Sequence, residues 1–544
     1  MQKWFSTFLF LSMIHIALAQ GRRDELRGGD RLERTCFDIS YYDLHFIPDG
    51  VAKTIFGKVE VQCLITAKSS RIQMDLFENM IMDSIVYSRG LLSFKRDYDA
   101  VFIDLPAEVK VGDHFVFTMH YHGIPVEAVM PPWDGGVIWA KEENGSPWWA
   151  VSCQGKGASL WWPNKEDYRD EPDSMRIHCT VPSNLYAVCN GQEELSEKLD
   201  NGFTVYNWKV SYPINNYNVT FNIADYAHWN DWYKSQYGDS LALDYYVLKK
   251  NLDKSKQHFQ QVKPMIECFE NYLGKYPFFE DGYALVETPY LGMEHQGAIA
   301  YGNRYTRQYL GMDRSGQQLN FDYIIIHETG HEWWGNSVSA GDMADMWIHE
   351  SFCTYSEAIY VECLYGYDRA MTYVNALKND VSNSAPIIGV YGLNKEGHGD
   401  MYVKGMLFLN TLRHVINNDL LWWSTIKKMA DERFKYATTN YNEVVEFFNR
   451  ETKLNLSPFF DQYVRHSKIP QLNYSIKKKR GKTIFTFQWK TDAKNFEMPV
   501  EVRVGGKEYK VIASSVASCE LQVDGNFSDI EFEEKKFYFK KNKI

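Results

Sequence analysis

The sequence predicts a multidomain α+β protein, with an N-terminal antiparallel β-domain, a mostly helical middle domain and a small C-terminal β-sandwich. The chain has 544 residues, more than one hydrophobic core usually organises. Short segments rich in β-branched and aromatic residues dominate its first and last parts, whereas apolar residues recur at helical spacing in the middle. We expect domains at 20–242, 243–465 and 466–544.

The N-terminal β-domain is predicted from segments such as 59–65, 115–119 and 219–223, which alternate with turn residues. The pattern changes near residue 250. Val262, Ile266 and Phe269 recur at intervals of three and four. The pattern ends at Gly274, a typical helix stop, so we expect a helix there.

The C-terminal β-sandwich is predicted from two apolar strand faces. Residues 485, 487 and 489 are aromatic and alternate with polar residues. Valines at 500, 502 and 504 form a second such face and are followed by Gly505 and Gly506. A glycine pair after a strand indicates a tight turn into the next strand.

The first nineteen residues fit a secretory signal peptide. Lys3 precedes an apolar run at 5–16, and Ala-Leu-Ala at 17–19 provides a cleavage site. No later stretch is apolar over the roughly 18 residues that a membrane-spanning helix requires. We therefore expect residues 1–19 to be removed, and the mature chain to be exported, either secreted or periplasmic, without a transmembrane segment.

The charge and the cysteines exclude two other classes of protein. The net charge is −11 and there is no long run of Lys or Arg, so nucleic acid is not the expected partner. Nine cysteines are few for this length, and their odd number leaves at least one unpaired, which excludes a disulfide-built scaffold. Cys179 and Cys189 could pair. Nothing in the sequence indicates an oligomeric state.

A metal-binding motif lies in the middle domain. His-Glu-x-x-His runs from His327 to His331, and residues four apart on a helix lie on one face with Cβ atoms about 5–6 Å apart. Two imidazoles can therefore bind one ion. Glu328 follows the first histidine directly and is placed to reach a water on the open side of the metal. This position suits a general base.

A catalytic zinc site needs a third protein ligand. Glu350 follows His331 with eighteen residues between them, and a turn plus a second helix would return it to the metal. Three protein ligands and one water position are typical of catalytic zinc, whereas structural zinc has four protein ligands. We expect one zinc ion per chain, bound by His327, His331 and Glu350. The alternative is that the two histidines are ordinary helix residues and that Glu350 is a surface carboxylate. It requires all three to occur in this pattern by chance.

Around these residues the sequence resembles the zinc aminopeptidases of the aminopeptidase N and leukotriene hydrolase type, which are gluzincin metallopeptidases. After the second histidine that family has Trp, another aromatic residue, Gly and Asn or Asp, matched here by 333–336. Its Trp-Leu-Asn-Glu-Gly-Phe-Ala segment is similar to 347–353, where neighbouring positions depart but Glu350 is kept. The resemblance implies a thermolysin-like catalytic domain.

The resemblance implies four further site residues. Residues 291–295 look like the family's Gly-x-Met-Glu-Asn strand, in which Glu294 would bind the substrate's free α-amino group and Met293 would contact the substrate. Gln154 takes the approximate place of a glutamine that also contacts this group. Tyr402 resembles the tyrosine whose hydroxyl donates to the oxyanion of the tetrahedral intermediate. Leu291 and His295 depart from the pattern and leave side-chain specificity open.

The predicted function is removal of N-terminal residues from peptides that have a free N-terminus, by zinc-activated water with Glu328 as the general base. Two alternatives stay open. One is a different hydrolase on the same scaffold, either an endopeptidase, against which Glu294 argues, or an epoxide hydrolase. The other is a catalytically inactive binding protein, against which the intact ligands, Glu328 and Tyr402 argue.

Overall fold

The computed structural model describes residues 21–544, so the predicted signal peptide at 1–19 lies outside the described residues. A sheet-rich region comes first, a mostly helical region follows, and two small sheets complete the described chain. The predicted multidomain α+β class is confirmed. Within residues 21–544, no helix is both long enough and apolar enough to cross a membrane.

The first region is built almost entirely from strands. A short helix, α1 (Leu32–Thr35), precedes them. The strands are β1 (Phe37–Asp49), β2 (Thr54–Ile65), β3 (Arg71–Asp75), β4 (Met80–Tyr87), β5 (Gly90–Leu91), β6 (Phe94–Asp97), β7 (Ala100–Asp104), β8 (His114–Gly123), β9 (Gly136–Lys141), β10 (Pro147–Ser152), β11 (Ser174–Pro182), β12 (Tyr186–Cys189), β13 (Gln192–Glu193), β14 (Glu197–Lys198), β15 (Phe203–Val210) and β16 (Phe221–Ala224).

These strands form three sheets around one core. The largest has nine strands in the order β13-β15-β11-β1-β2-β8-β4-β5, with β14 beside β15. The others have the orders β12-β16-β10-β9 and β3-β7-β6. Buried and more exposed positions alternate along β1 and β2, so one face of the large sheet packs on the core and the other faces outward.

Two predictions for this region need correction. The sheet is not wholly antiparallel, because β1 and β11 run parallel at its centre. Parallel neighbours need a long connection, which here contains β2 to β10. The strand expected at 219–223 begins at Phe221, since Asn216–Asn218 form a 3-10 turn before it.

The middle region contains most of the helices. Its strands are β17 (Tyr226–Lys234), β18 (Ser240–Leu248), β19 (Tyr283–Glu287), β20 (Gly292–Met293), β21 (Ile299–Tyr301), β22 (Val338–Ala340) and β23 (Ala437–Thr439). Its helices are α2 (Leu252–His258), α3 (Val262–Leu273), α4 (Tyr323–Gly330), α5 (Trp347–Tyr365), α6 (Tyr367–Ala376), α7 (Val403–Ile416), α8 (Asp419–Lys428), α9 (Tyr441–Thr452) and α10 (Ser457–Phe460).

A five-stranded sheet, in the order β17-β18-β19-β21-β20, adjoins these helices. The predicted domain border between residues 242 and 243 falls inside β18. The predicted domains at 20–242, 243–465 and 466–544 stay predictions. The predicted helix near residue 260 is α3, which buries Val262, Ile266 and Phe269. It ends at Gly274, whose φ of 104° suits a residue without Cβ.

The last region is the predicted β-sandwich. Its strands are β24 (Gln471–Lys479), β25 (Lys482–Lys490), β26 (Glu497–Val504), β27 (Lys507–Ser514), β28 (Cys519–Asp524), β29 (Glu531–Phe532) and β30 (Lys540–Lys543). The sheets have the orders β28-β25-β24-β30 and β27-β26-β29. The aromatic face of β25 and the valine face of β26 are buried in one core. Gly505 and Gly506, both with positive φ, form the predicted turn.

One disulfide is formed, between Cys268 on α3 and Cys363 on α5. Cys179 and Cys189 are both free and buried, so the suggested pairing between them is wrong. The two bonded residues are 95 positions apart, and their approach depends on how α3 packs against α5. Sequence spacing does not contain that information.

Candidate metal centre and substrate cleft

Helix α4 positions both histidines of the motif. The side chain of Asp322 caps its N-terminus by accepting hydrogen bonds from the backbone amides of Ile324 and Ile325. The four-residue spacing then places His327 and His331 on one side of the helix, with ring centroids 4.9 Å apart. His331 is the residue at which the helix ends.

Helix α5 packs against α4 and brings Glu350 to the two imidazoles. Glu350 Oε2 lies 3.7 Å from His327 Nε2 and 3.4 Å from His331 Nε2. This oxygen is buried and has no hydrogen-bond partner among the described residues. Donor atoms arranged tetrahedrally about 2.1 Å from one zinc ion lie about 3.4 Å apart. These three residues therefore fit a zinc ion.

The opposite ring nitrogens fix the orientation of both imidazoles. His331 Nδ1 lies 2.8 Å from the carbonyl oxygen of Trp334 and donates a hydrogen bond to it, because a carbonyl can only accept. His327 Nδ1 lies 2.7 Å from Glu357 Oε1. Protonation of each Nδ1 leaves the Nε2 lone pair free to bind a metal, as in known carboxylate–histidine–zinc arrangements.

Glu357 was not identified from the sequence. It is buried on α5, and its second oxygen accepts a hydrogen bond from the Tyr373 hydroxyl at 2.5 Å. A usable signal was present, because Glu357 follows Glu350 by seven residues, about two helical turns, and so lies on the same face. Many surface glutamates share that spacing, so sequence alone did not distinguish this one.

Two further glutamates lie beside the metal centre. Donor atoms of Glu294, Glu328 and His331 all lie within 4.8 Å of one another. Burial raises the pKa of Glu328 to about 7, although His327 and His331 oppose this shift. Burial also raises the pKa of Glu294. Tyr217 donates a hydrogen bond to Glu294 Oε1 at 3.2 Å.

These groups line a cleft of about 340 Å³. It contains the predicted ligands, Glu328, Glu294, Gln154 and Tyr402, together with Trp133 and Arg314, which the sequence did not indicate. Met293, which was predicted to contact the substrate, does not line the cleft. Successive residues of a strand point to opposite faces, so Gly292 and Glu294 face the cleft while Met293 packs in the core of the N-terminal region.

Gln154 and Tyr402 reach the cleft from different elements. Gln154 follows β10 closely, and its Nε2 donates to Glu350 Oε1 at 2.6 Å. Tyr402 directly precedes α7, and its ring centroid lies 6.1 Å from that of His327. Ser351 donates to the backbone carbonyl of Met401 at 2.8 Å, which ties α5 to the turn before Tyr402. The cleft therefore joins residues from the N-terminal sheets and from three helices.

Residues 257–463 match the peptidase family M1 domain. Endoplasmic reticulum aminopeptidase 1 of Mus musculus is 21% identical over 270 residues, covering 47% of this chain and 28% of that protein. Aminopeptidase A of Gloydius brevicauda is 22% identical over 433 residues, covering 74% of this chain and 43% of that protein. The chain thus spans less than half the length of these curated relatives.

Among solved structures, an M1 zinc metallopeptidase from Deinococcus radiodurans has the same fold. Its TM-score is 0.66 at 16% sequence identity, and the match covers 81% of this chain and 95% of that one. A mutant M1 zinc metallopeptidase from the same organism, bound to a Tyr-Ser-Ala substrate, matches with a TM-score of 0.65. At this level of identity the likeness establishes the fold.

The contact between Glu357 and His327 predicts a role in metal affinity. Glu357→Gln should weaken zinc binding roughly 10–100-fold, because a neutral amide makes the imidazole a less basic ligand. Competition with a chromogenic chelator measures this affinity. Glu362→Gln is a matched control, because Glu362 lies on the same helix but pairs with Arg413 at 2.6 Å. An equal loss of affinity in both variants would contradict the assignment.

Proposed function

We propose that this chain, a member of peptidase family M1 through residues 257–463, is a zinc-dependent aminopeptidase. One observation carries the proposal beyond zinc binding. The buried carboxylate of Glu294 lies beside Glu328 and His331, where it can bind a cation next to the reacting bond. The cation that such a site would receive from a peptide is its N-terminal ammonium group.

His327, His331 and Glu350 would hold the zinc ion. When bound, zinc supplies a Lewis acid that polarises a carbonyl oxygen and lowers the pKa of water. Glu328 takes the proton of the attacking water and returns it to the leaving amine. Burial raises the pKa of Glu328, which helps the carboxyl to hold the proton between the two transfers. The Tyr402 hydroxyl donates to the oxyanion that forms.

Glu294 and Gln154 position the substrate. Glu294 accepts hydrogen bonds from the ammonium group and so restricts cleavage to the first peptide bond. Gln154 donates from Nε2 to Glu350, which fixes its amide orientation and turns its Oε1 toward other donors. That oxygen is available to the same ammonium group. Met293 takes no direct part, because it packs in the core.

The alternatives from the sequence receive less support. An endopeptidase binds the middle of a chain, where Glu294 would be buried without a cationic partner, which is costly. An epoxide hydrolase has no need of an ammonium site. An inactive binding protein would not need Glu328 and Tyr402 in the cleft beside the metal ligands, where both lie.

We also propose that the protein is exported, being secreted or periplasmic. The apolar segment and the Ala-Leu-Ala sequence within residues 1–19 support this. The disulfide between Cys268 and Cys363 supports it independently, because such bonds persist mainly in oxidising compartments.

Glu328→Gln should keep the zinc and lose roughly 10²–10⁴-fold in kcat, because the amide preserves the size of the side chain but cannot take the proton. Metal content and turnover of an aminoacyl amide are measured on the same sample. Glu332→Gln is the matched control. Glu332 is also buried, but it accepts from the Tyr276 hydroxyl at 2.7 Å and does not line the cleft. Turnover above a tenth of the wild-type rate in zinc-loaded Glu328→Gln would refute the role.

Glu294→Ala should impair cleavage of a free-amino substrate by about 10²-fold or more, because the scissile carbonyl loses its register against the metal. The N-acetylated form of the same substrate should already be cleaved very slowly by the wild-type enzyme. The substitution should harm that reaction much less, since no ammonium is present. Comparing both enzymes on both substrates isolates the pairing from general damage. Equal losses on the two substrates would mean that Glu294 supports the fold or the metal centre instead.

A further inference from the structure

The outward face of the nine-stranded sheet carries a second cluster of side chains of the types that bind metal ions. Asp43 and His45 are two residues apart on β1 and therefore point to the same side. His178 lies on the parallel neighbour β11, directly opposite His45 in the strand register. All three side chains are partly exposed, although the Asp43 oxygen nearest the two imidazoles is itself buried.

The three donor atoms converge on one point. Asp43 Oδ1 lies 3.0 Å from His45 Nε2 and 3.0 Å from His178 Nε2. Although both nitrogens are close, neither is aligned for a hydrogen bond, and this buried oxygen has no hydrogen-bond partner among the described residues. The donor atoms of all three residues lie within 4.8 Å of one another. Two imidazole nitrogens and a carboxylate oxygen gathered this closely can surround one cation.

A neighbouring amide sets the protonation of His178. Asn207 Nδ2 donates to the carbonyl oxygen of Leu195 at 2.7 Å, so Asn207 Oδ1 must face His178. That oxygen lies 2.6 Å from His178 Nδ1, which therefore carries the proton. Burial lowers the pKa of this ring, but Asp43 and Asn207 raise it more, so the pKa lies above its usual value. When the ring loses its second proton, Nε2, which lies 3.0 Å from Asp43 Oδ1, carries the lone pair that can bind a cation. Metal-binding histidines are typically held by such a bond from their other nitrogen.

We propose that Asp43, His45 and His178 form a second site for a divalent transition-metal ion such as zinc, separate from the catalytic centre and open to water. Two imidazoles and one carboxylate are suitable ligands for zinc, and solvent can complete the coordination. The ion would join β1 to β11, the parallel pair at the middle of the large sheet. Its binding would stabilise the fold without taking part in peptide hydrolysis.

Elsewhere on this sheet, a histidine and an aspartate form an ordinary hydrogen bond. His122 Nδ1 lies 2.9 Å from Asp83 Oδ2 with the alignment of a hydrogen bond. This pair has one imidazole, whereas the proposed site has two, stacked with centroids 4.1 Å apart and planes inclined by 13°. His122 is therefore the matched control.

Equilibrium dialysis at micromolar free Zn²⁺ measures how many zinc ions each chain binds. The purified chain carries no polyhistidine tag. The variants are His45→Gln with His178→Gln, His331→Ala, all three together, and His122→Gln. We expect two ions per chain in the wild type and in His122→Gln. We expect one in the double variant, one in His331→Ala and none in the triple variant. The His331→Ala arm keeps this result independent of the proposed catalytic zinc.

Thermal unfolding gives a second measurement in the His331→Ala background. Added Zn²⁺ should raise the unfolding midpoint when His45 and His178 are present, because an ion that binds only the folded state stabilises it. The increase should vanish when both are changed to Gln. No zinc bound by His331→Ala, or an ion that remains in the triple variant, would overturn the proposal and leave the three residues as a surface ion pair.

Discussion

The burial of negative charge around one cleft is the constraint on which the rest of the structure depends. Glu294, Glu328, Glu350 and Glu357 are each at most 7% exposed. Burying carboxylates together is unfavourable unless cations or hydrogen bonds compensate them. A divalent ion between the imidazoles and an ammonium group at Glu294 would supply that compensation. The buried negative charge thus supports the proposal that the cleft holds a zinc ion and a free peptide N-terminus.

The surrounding elements hold these charges in place. Asp322, which caps α4, also accepts from the Tyr301 hydroxyl at 2.8 Å and lies 2.7 Å from His258 Nε2, so the helix start is tied to β21 and α2. The Cys268–Cys363 disulfide joins α3 to α5, the helix that carries Glu350 and Glu357. Rigid elements on both sides of the cleft keep the ligands at the separations that zinc requires.

Local patterns determined what the sequence could predict. The spacing from His327 to Glu350 identified the metal ligands as candidates because residue identity and helical geometry suffice there. The stop of α3 at Gly274 and the turn at Gly505 were likewise local signals. The parallel pairing of β1 with β11, the disulfide and the contact between Gln154 and Glu350 join residues far apart in sequence. These long-range contacts follow from packing, which no short segment encodes. The orientation of Met293 likewise follows from the position of β20 in its sheet.

Zinc at the catalytic centre should be required for hydrolysis of substrates that have a free N-terminus. The most direct measurement is the turnover of a panel of aminoacyl fluorogenic amides by the purified chain as isolated, after chelation, and after zinc is restored. At least one amide should be hydrolysed, chelation should abolish the activity, and one equivalent of zinc at the catalytic centre should restore it. Undiminished turnover by zinc-free protein, or no hydrolysis of any amide by fully loaded protein, would contradict a zinc-dependent aminopeptidase function.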